Sequence, residues 1–165
     1  MRFKLVEDWD LPLTESVECF NSGNSTDLKT FDISNSKEIG IHCGTKECAE
    51  EVAERNGYKH LCKLTFDNSK CLPVSEDLTA TWGSMEIIRV LRKVFNSDEV
   101  TALQNQMRQY ADSARKEIMY STLIREFILN HGYNVVSYTN EIEDKGSTSY
   151  IILDTSVITN VEEVV

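Results

Sequence analysis

Glu141, Glu143 and Asp144 are gathered between two apolar runs, Val135 to Tyr138 and Tyr150 to Leu153. The runs are rich in β-branched and aromatic residues and read as strands, and Gly132 ahead of them reads as a helix stop. Glu141 and Glu143 are two apart, so on an extended segment both face the same side. Like charges that close repel unless a cation or a hydroxyl partner intervenes. Acids so placed bind two sugar hydroxyls, or stabilise a positive oxocarbenium centre as a leaving group departs. A solvated hairpin loop whose charges only confer solubility fits the same spacing.

A second candidate is Gly40-Ile41-His42-Cys43-Gly44-Thr45, immediately before a helix start. A helix N-terminus offers unpaired backbone N–H groups and a positive dipole end, which suits a phosphate or pyrophosphate. There His42 would donate to a ribose hydroxyl or stack on a ring; equally, it reads as a strand-end histidine bonded to a backbone carbonyl. His60 and His131 read as structural or solvated, with His131 set against the last carbonyls of a helix. The dipole at the same helix start would favour a thiolate at Cys43 or Cys48. No nucleophile signature surrounds either, so both read as buried thiols. The chain has no GxSxG elbow, no Walker loop and no GxGxxG, and its cysteines and three histidines match no zinc spacing.

The elements that must position these groups follow from periodicity and caps. Residues 1 to 38 read as irregular with one or two short strands. Asn21 to Asp27 is a turn cluster, and Leu28 to Ile33 an extended or short helical piece. Gly40 to Thr45 is a short buried strand or loop. A helix over 46–56 follows, with Thr45 as N-cap, Glu47 in the first turn and Gly57 at C′. His60 to Phe66 alternates as a strand. Ser84 caps a helix with Ile87, Ile88, Leu91, Val94 and Phe95 on one face, and Ser97 caps a second with Val100, Leu103, Met107, Tyr110 and Ala114. Ile118 to Ile128 continues that helix or starts a third, and this apolar pattern is core-forming. Residues 67 to 84 read as surface loops. Trp9 and Trp82 read as contact residues or as fillers of the core edge. Val157 and Ile158 extend the last strands by one more. The order predicts an α+β fold with a helical segment at 84–131 inside one domain spanning 1–165.

Composition bounds the function. The 165 residues carry a net charge of −10, which argues against a generic nucleic-acid footprint and suits approach to a basic protein surface. Five cysteines, an odd count without a CxxC pair, read as reduced thiols in a cytosol. The first ten residues hold no apolar core of signal-peptide length, and no run approaches a membrane span, so the expected location is cytoplasmic. No sequence feature sets an oligomeric state.

Three segments together resemble the ADP-ribosyltransferase-like family, in particular its small bacteriophage-type members, among them anti-CRISPR-type transferases. The third segment is the close one: Gly132-Tyr133, Tyr138, Asn140, Glu143, Gly146-Ser147, Ser149-Tyr150-Ile151 and Asp154 fall in the family's order. The second is Gly40 to Thr45 followed by Cys48-Ala49. The first, Phe20-Asn21-Ser22-Gly23-Asn24 followed by Phe31-Asp32, matches least. The resemblance implies split, mostly antiparallel β-sheets whose crevice binds NAD as substrate, without a metal. It implies Glu143 as the catalytic acid, with Glu141 as the other member of an ExE-like pair. It places Ser22, Gly23 and Asn24 at the nicotinamide ribose, and His42, Gly44 and Thr45 along the ring and helix start. This chain departs from the family where the first-block histidine stands: Ser22 occupies the position, or Asn21 in a register shifted by one. Ser149 stands where the poly(ADP-ribose) polymerases carry an acid, so the acid must come from the loop.

Two functions follow. One is a mono-ADP-ribosyltransferase, phage-encoded, that modifies a host protein in defence or transcription; hydrolysis of NAD differs from it only in using water as acceptor. The other is a degenerate transferase-like fold, or an unrelated acidic protein, that inhibits a host complex by occupying a basic surface.

Overall fold

The structure, a computed structural model, describes residues 15–76 and 84–164. Trp9, Trp82 and the N-terminal stretch lie outside the described residues. Along the chain run β1 (Ser16–Gly23), β2 (Ile41–Cys43), α1 (Lys46–Asn56), β3 (His60–Asp67) and β4 (Cys71–Pro73). Then come α2 (Ser84–Val94), α3 (Ser97–Arg108), α4 (Lys116–Asn130), β5 (Val135–Thr139), β6 (Thr148–Ile152) and β7 (Ile158–Glu163). The strands form two sheets, ordered β1-β3-β7 and β2-β6-β5-β4. The α+β class read from the sequence is the class observed. One pairing departs from the expected antiparallel pattern: β4 runs parallel to β5, with Cys71 opposite Val135. All three helices α2, α3 and α4 lie in the connection between those strands, and a crossover of that length returns the chain in its original direction.

The strand period of two sorts the apolar residues into two cores. Val136, Tyr138, Ile151 and Leu153 face a cluster with Ile88, Leu91, Val100, Leu103, Ile124 and Ile128 of the helices. Val135 and Ile152 face the opposite way, into a cluster with Cys19, Leu64, Phe66 and Ile158 of the other sheet. The four-stranded sheet is therefore the middle layer, covered on both faces, which is why β5 and β6 carry near-continuous apolar runs.

Several elements follow their local signals closely. Thr45 caps α1, its hydroxyl accepting from the Cys48 N–H at 3.2 Å, and Gly57 ends the helix in the left-handed conformation at φ 67°. His131 Nδ1 lies 2.7 Å from the Phe127 carbonyl at the end of α4.

Other elements depart from them. β1 pairs with β3 along all eight residues, Ser16↔Asp67 to Gly23↔His60, so Asn21, Ser22 and Gly23 are strand rather than turn. Cross-strand pairing outweighs the local turn preference of Asn, Ser and Gly. The cap of α3 is Asn96, whose side chain accepts from the Asp98 N–H at 2.8 Å, rather than Ser97. α2 includes Ser84 as its first residue, and the position before it lies outside the described residues. α3 ends at Arg108, short of the Tyr110 and Ala114 that its apolar spacing included, because the chain there tightens into i→i−3 turns such as Tyr110 N–H to the Met107 carbonyl, and α4 is a separate helix. Finally, β4 occupies residues read as surface loop; three residues ending in Pro73 at a sheet edge leave too short a pattern to read.

Candidate functional site

The two sheets are stitched together where β1 passes the end of β2, and the candidate site forms beside that seam. Phe20 and Gly44 exchange backbone hydrogen bonds of 2.8 and 2.9 Å. The Asn21 side-chain amide donates to the His42 carbonyl at 2.7 Å, tying β1 to β2 again. Gly44 is required here by close approach: a Cβ on it would lie 2.8 Å from Ser149 Oγ and 3.1 Å from Cys48 Sγ.

The acid loop joins β5 to β6 as a folded turn. Asn140, 1% exposed, organises it. Its Oδ1 accepts from the backbone N–H groups of Ile142 and Glu143, both at 2.9 Å. Its amide nitrogen donates to Ser149 Oγ at 3.1 Å and to Cys48 Sγ at 3.4 Å. Asp144 sits at a positive φ of 43°, and its carboxylate accepts the Thr45 hydroxyl at 2.5 Å. The start of α1 and the acid loop are thus fastened to one another by Thr45 and by the Asn140–Cys48 contact.

This turn separates the two glutamates. Glu143 is 4% exposed, and its carboxylate is hydrogen-bonded and ion-paired with the Arg55 guanidinium from the last turn of α1. Glu141 is exposed on the outside of the loop, with Lys145 Nζ 3.9 Å from its carboxylate. The expectation that Glu141 and Glu143 face the same side does not hold. The segment is not extended, because the Asn140 side chain replaces the backbone partners that a strand would supply.

Glu143 lines a cavity of about 570 Å³, within the range of small-molecule sites. Ser22, Gly23, Asn24, His42 and Gly44 line the same cavity. Six of the eight residues singled out in the sequence are therefore brought together from chain segments more than a hundred residues apart. Glu141 and Thr45 are not among the lining residues; Thr45 serves instead as helix cap and as the tether to Asp144. Ser22 Oγ is buried and has no hydrogen-bond partner among the described residues, a polar group facing a cavity that a ligand hydroxyl would satisfy. His42 Nδ1 stands 3.5 Å from the Tyr138 hydroxyl and Nε2 3.9 Å from the Glu38 carboxylate. Desolvation holds the Glu38 carboxyl above its ordinary value.

Sequence reasoning assigned no role to Asn140, Arg55 or Tyr138, all of which line the cavity. A signal for Asn140 exists: an Asx residue two and three positions before exposed-loop N–H groups, just after a buried strand, is a turn former. No local signal marks Arg55, whose partner is 88 residues away.

The cysteines also differ from their reading. Cys19 and Cys43 are joined in a disulfide, with Cα atoms 5.7 Å apart, instead of five reduced thiols. The Phe20–Gly44 bridge sets these neighbours side by side on adjoining strands, a proximity that a separation of 24 residues conceals. With Cys19 and Cys43 oxidised, the five cysteines no longer point together to a reducing compartment. Cys48 and Cys62 are free and buried, as read for Cys48. Burial pushes the Cys48 thiol up, with the nearby Glu143 carboxylate adding to the effect, so at neutral pH it is a packed thiol and not a nucleophile. Among the described residues no cluster of His, Cys, Asp and Glu is arranged to hold a metal ion, and no helix is long and apolar enough to cross a membrane.

No family model and no curated protein matches the chain. Among solved structures it is similar to one described as the crystal structure of an anti-CRISPR protein. That alignment has 16% sequence identity and a TM-score of 0.43, and covers 92% of this chain and 97% of that chain.

Proposed function

We propose that the cavity is an NAD site and that the chain is a mono-ADP-ribosyltransferase acting on a host protein, in the setting of a phage factor directed at host defence or transcription. The observation that carries the reading is the convergence of Glu143, Ser22, Gly23, Asn24, His42 and Gly44 on one cavity. The chemistry is a glycosyl transfer. The bond between nicotinamide nitrogen and ribose C1′ breaks heterolytically, its electron pair leaving with neutral nicotinamide. The ribose acquires oxocarbenium character, and a nucleophile of the acceptor bonds to C1′ and loses its proton to solvent or a base. Glu143 offers a buried anion to accept the ribose hydroxyls and to stabilise the positive centre. Ser22 Oγ and the His42 ring, which line the same cavity, are the polar groups we assign to the ribose and the nicotinamide. The net charge of −10 supports an acceptor with a basic face over a nucleic acid.

A second reading has its own observation. The Glu143 carboxylate is already paired with Arg55, which suits a retained fold that inhibits by binding alone. Nicotinamide release separates the two. With purified protein and NAD, chromatography detects free nicotinamide from the wild type, and Glu143→Gln lowers the rate by at least a hundredfold while Glu141→Gln leaves it within about threefold. Equal rates in the wild type and Glu143→Gln overturn the enzymatic reading.

A further inference from the structure

We infer that Arg55 is a phosphate-binding latch: it holds the Glu143 carboxylate until the diphosphate of a dinucleotide takes the guanidinium over and leaves Glu143 to the ribose hydroxyls. The inference rests on the reading of the cavity as an NAD site and names the residue that would select a phosphorylated ligand.

Arg55 is the one Lys or Arg among the described residues that line the cavity. Its side chain is 53% exposed while that of Glu143 is 5% exposed, so the cation sits at the mouth and the anion beneath it. Among the described residues only Nη2 is engaged, with Glu143. Nε and Nη1 donate to no described residue, which leaves part of the planar fork directed elsewhere. A guanidinium in that state is a ready partner for phosphate oxygens, which it recognises in the same bidentate manner as a carboxylate.

The exchange keeps both buried and half-buried groups satisfied. Arg55 trades a carboxylate for a phosphate, at the edge of solvent where rotation of a long side chain meets little resistance. Glu143 trades a guanidinium for the two vicinal hydroxyls of a ribose, so its buried charge never stands without a hydrogen-bond donor. Its backbone is held throughout by Asn140, so the carboxylate remains in place as the partner changes. A ligand must therefore carry a phosphate and a ribose diol together, as a nucleoside diphosphate ester does. The competing role for Arg55 is a purely structural clamp between α1 and the acid loop.

Calorimetric titration with two ligands separates these roles: NAD, and nicotinamide riboside, which has the same diol and glycosidic bond but no phosphate. For Arg55→Gln the inference expects NAD to bind at least tenfold more weakly, with the riboside unchanged or tighter because Glu143 is uncovered. Arg55→Lys falls between, and the affinity of the wild type for NAD declines more steeply with salt than that of Arg55→Gln. Equal weakening of both ligands, or no change in either, overturns the latch in favour of a clamp. Should Arg55→Gln not fold, Arg55→Lys decides: the same NAD-selective loss supports the latch and a parallel loss overturns it. A wild type that binds neither ligand fails the NAD reading itself, and the latch with it, before any Arg55 variant is made.

Discussion

Asn140 is the residue on which the site's geometry depends most. A buried amide uses both ends: its oxygen accepts the Ile142 and Glu143 N–H groups, and its nitrogen reaches Ser149 and Cys48. Asn140→Ala leaves the buried Glu143 N–H and the part-buried Ile142 N–H without an acceptor, the buried one alone costing about 1–3 kcal/mol. We expect the variant to lose about 2–4 kcal/mol in urea unfolding and to lower nicotinamide release more than its loss of folded protein accounts for. Asn140→Asp keeps the accepting oxygen and recovers part of the stability. An Asn140→Ala variant as stable as the wild type contradicts this role. Glu143 was legible in the sequence as a candidate, and the structure puts it on the cavity, whereas its partner was not legible. Glu143 stands in a motif with Gly146 and Ser149 around it, but Arg55 lies on a different element and only the fold brings it within reach.

At the level of elements, local codes and long-range pairing divide the chain. α1 was legible to the residue at both ends because its signals are local: a Thr cap, an acid in the first turn, and a glycine at φ 67°. β1 was not, because Asn21, Ser22 and Gly23 prefer turns in isolation and become strand only against β3. β4 is set by its parallel partner and by three helices of crossover, which no window of the sequence contains. Thr45 joins the two classes, as a cap of α1 and as donor to Asp144. Thr45→Val keeps the shape and removes both bonds. It should cost about 1–2 kcal/mol, read as a fall in Tm of about 2–8 °C for a chain of this size. Thr45→Ser recovers most of it. An unchanged Tm in Thr45→Val means that the tether contributes nothing to holding the loop on the helix.

For the whole molecule, the alternation of β5 and β6 between two cores was readable as apolar runs, while the assignment of each face was not. Ile151 joins the helices and Ile152 the other sheet, and a period of two does not say which neighbour covers which face. The buried thiols report on that packing through pH. Burial holds Cys62 above the ordinary thiol value of 9.0, and Cys48 and Cys71 are raised likewise by desolvation. The unfolded chain therefore releases these protons first. The contribution to stability is whole below about pH 9 and is lost as pH rises through the raised folded values. Urea unfolding between pH 7 and 10.5 should show a decline that begins near pH 9 and becomes shallower in Cys62→Ala; a flat profile rules out neutral buried thiols. The most direct measurement on the central claim is transfer itself. Purified protein is added to a bacterial lysate with biotin-labelled NAD and the products are blotted with streptavidin, wild type beside Glu143→Gln. The account predicts a labelled host protein in the wild-type lane that is absent from the Glu143→Gln lane. The same labelling in both lanes, or none in either together with no rise in Tm on adding NAD, would contradict it.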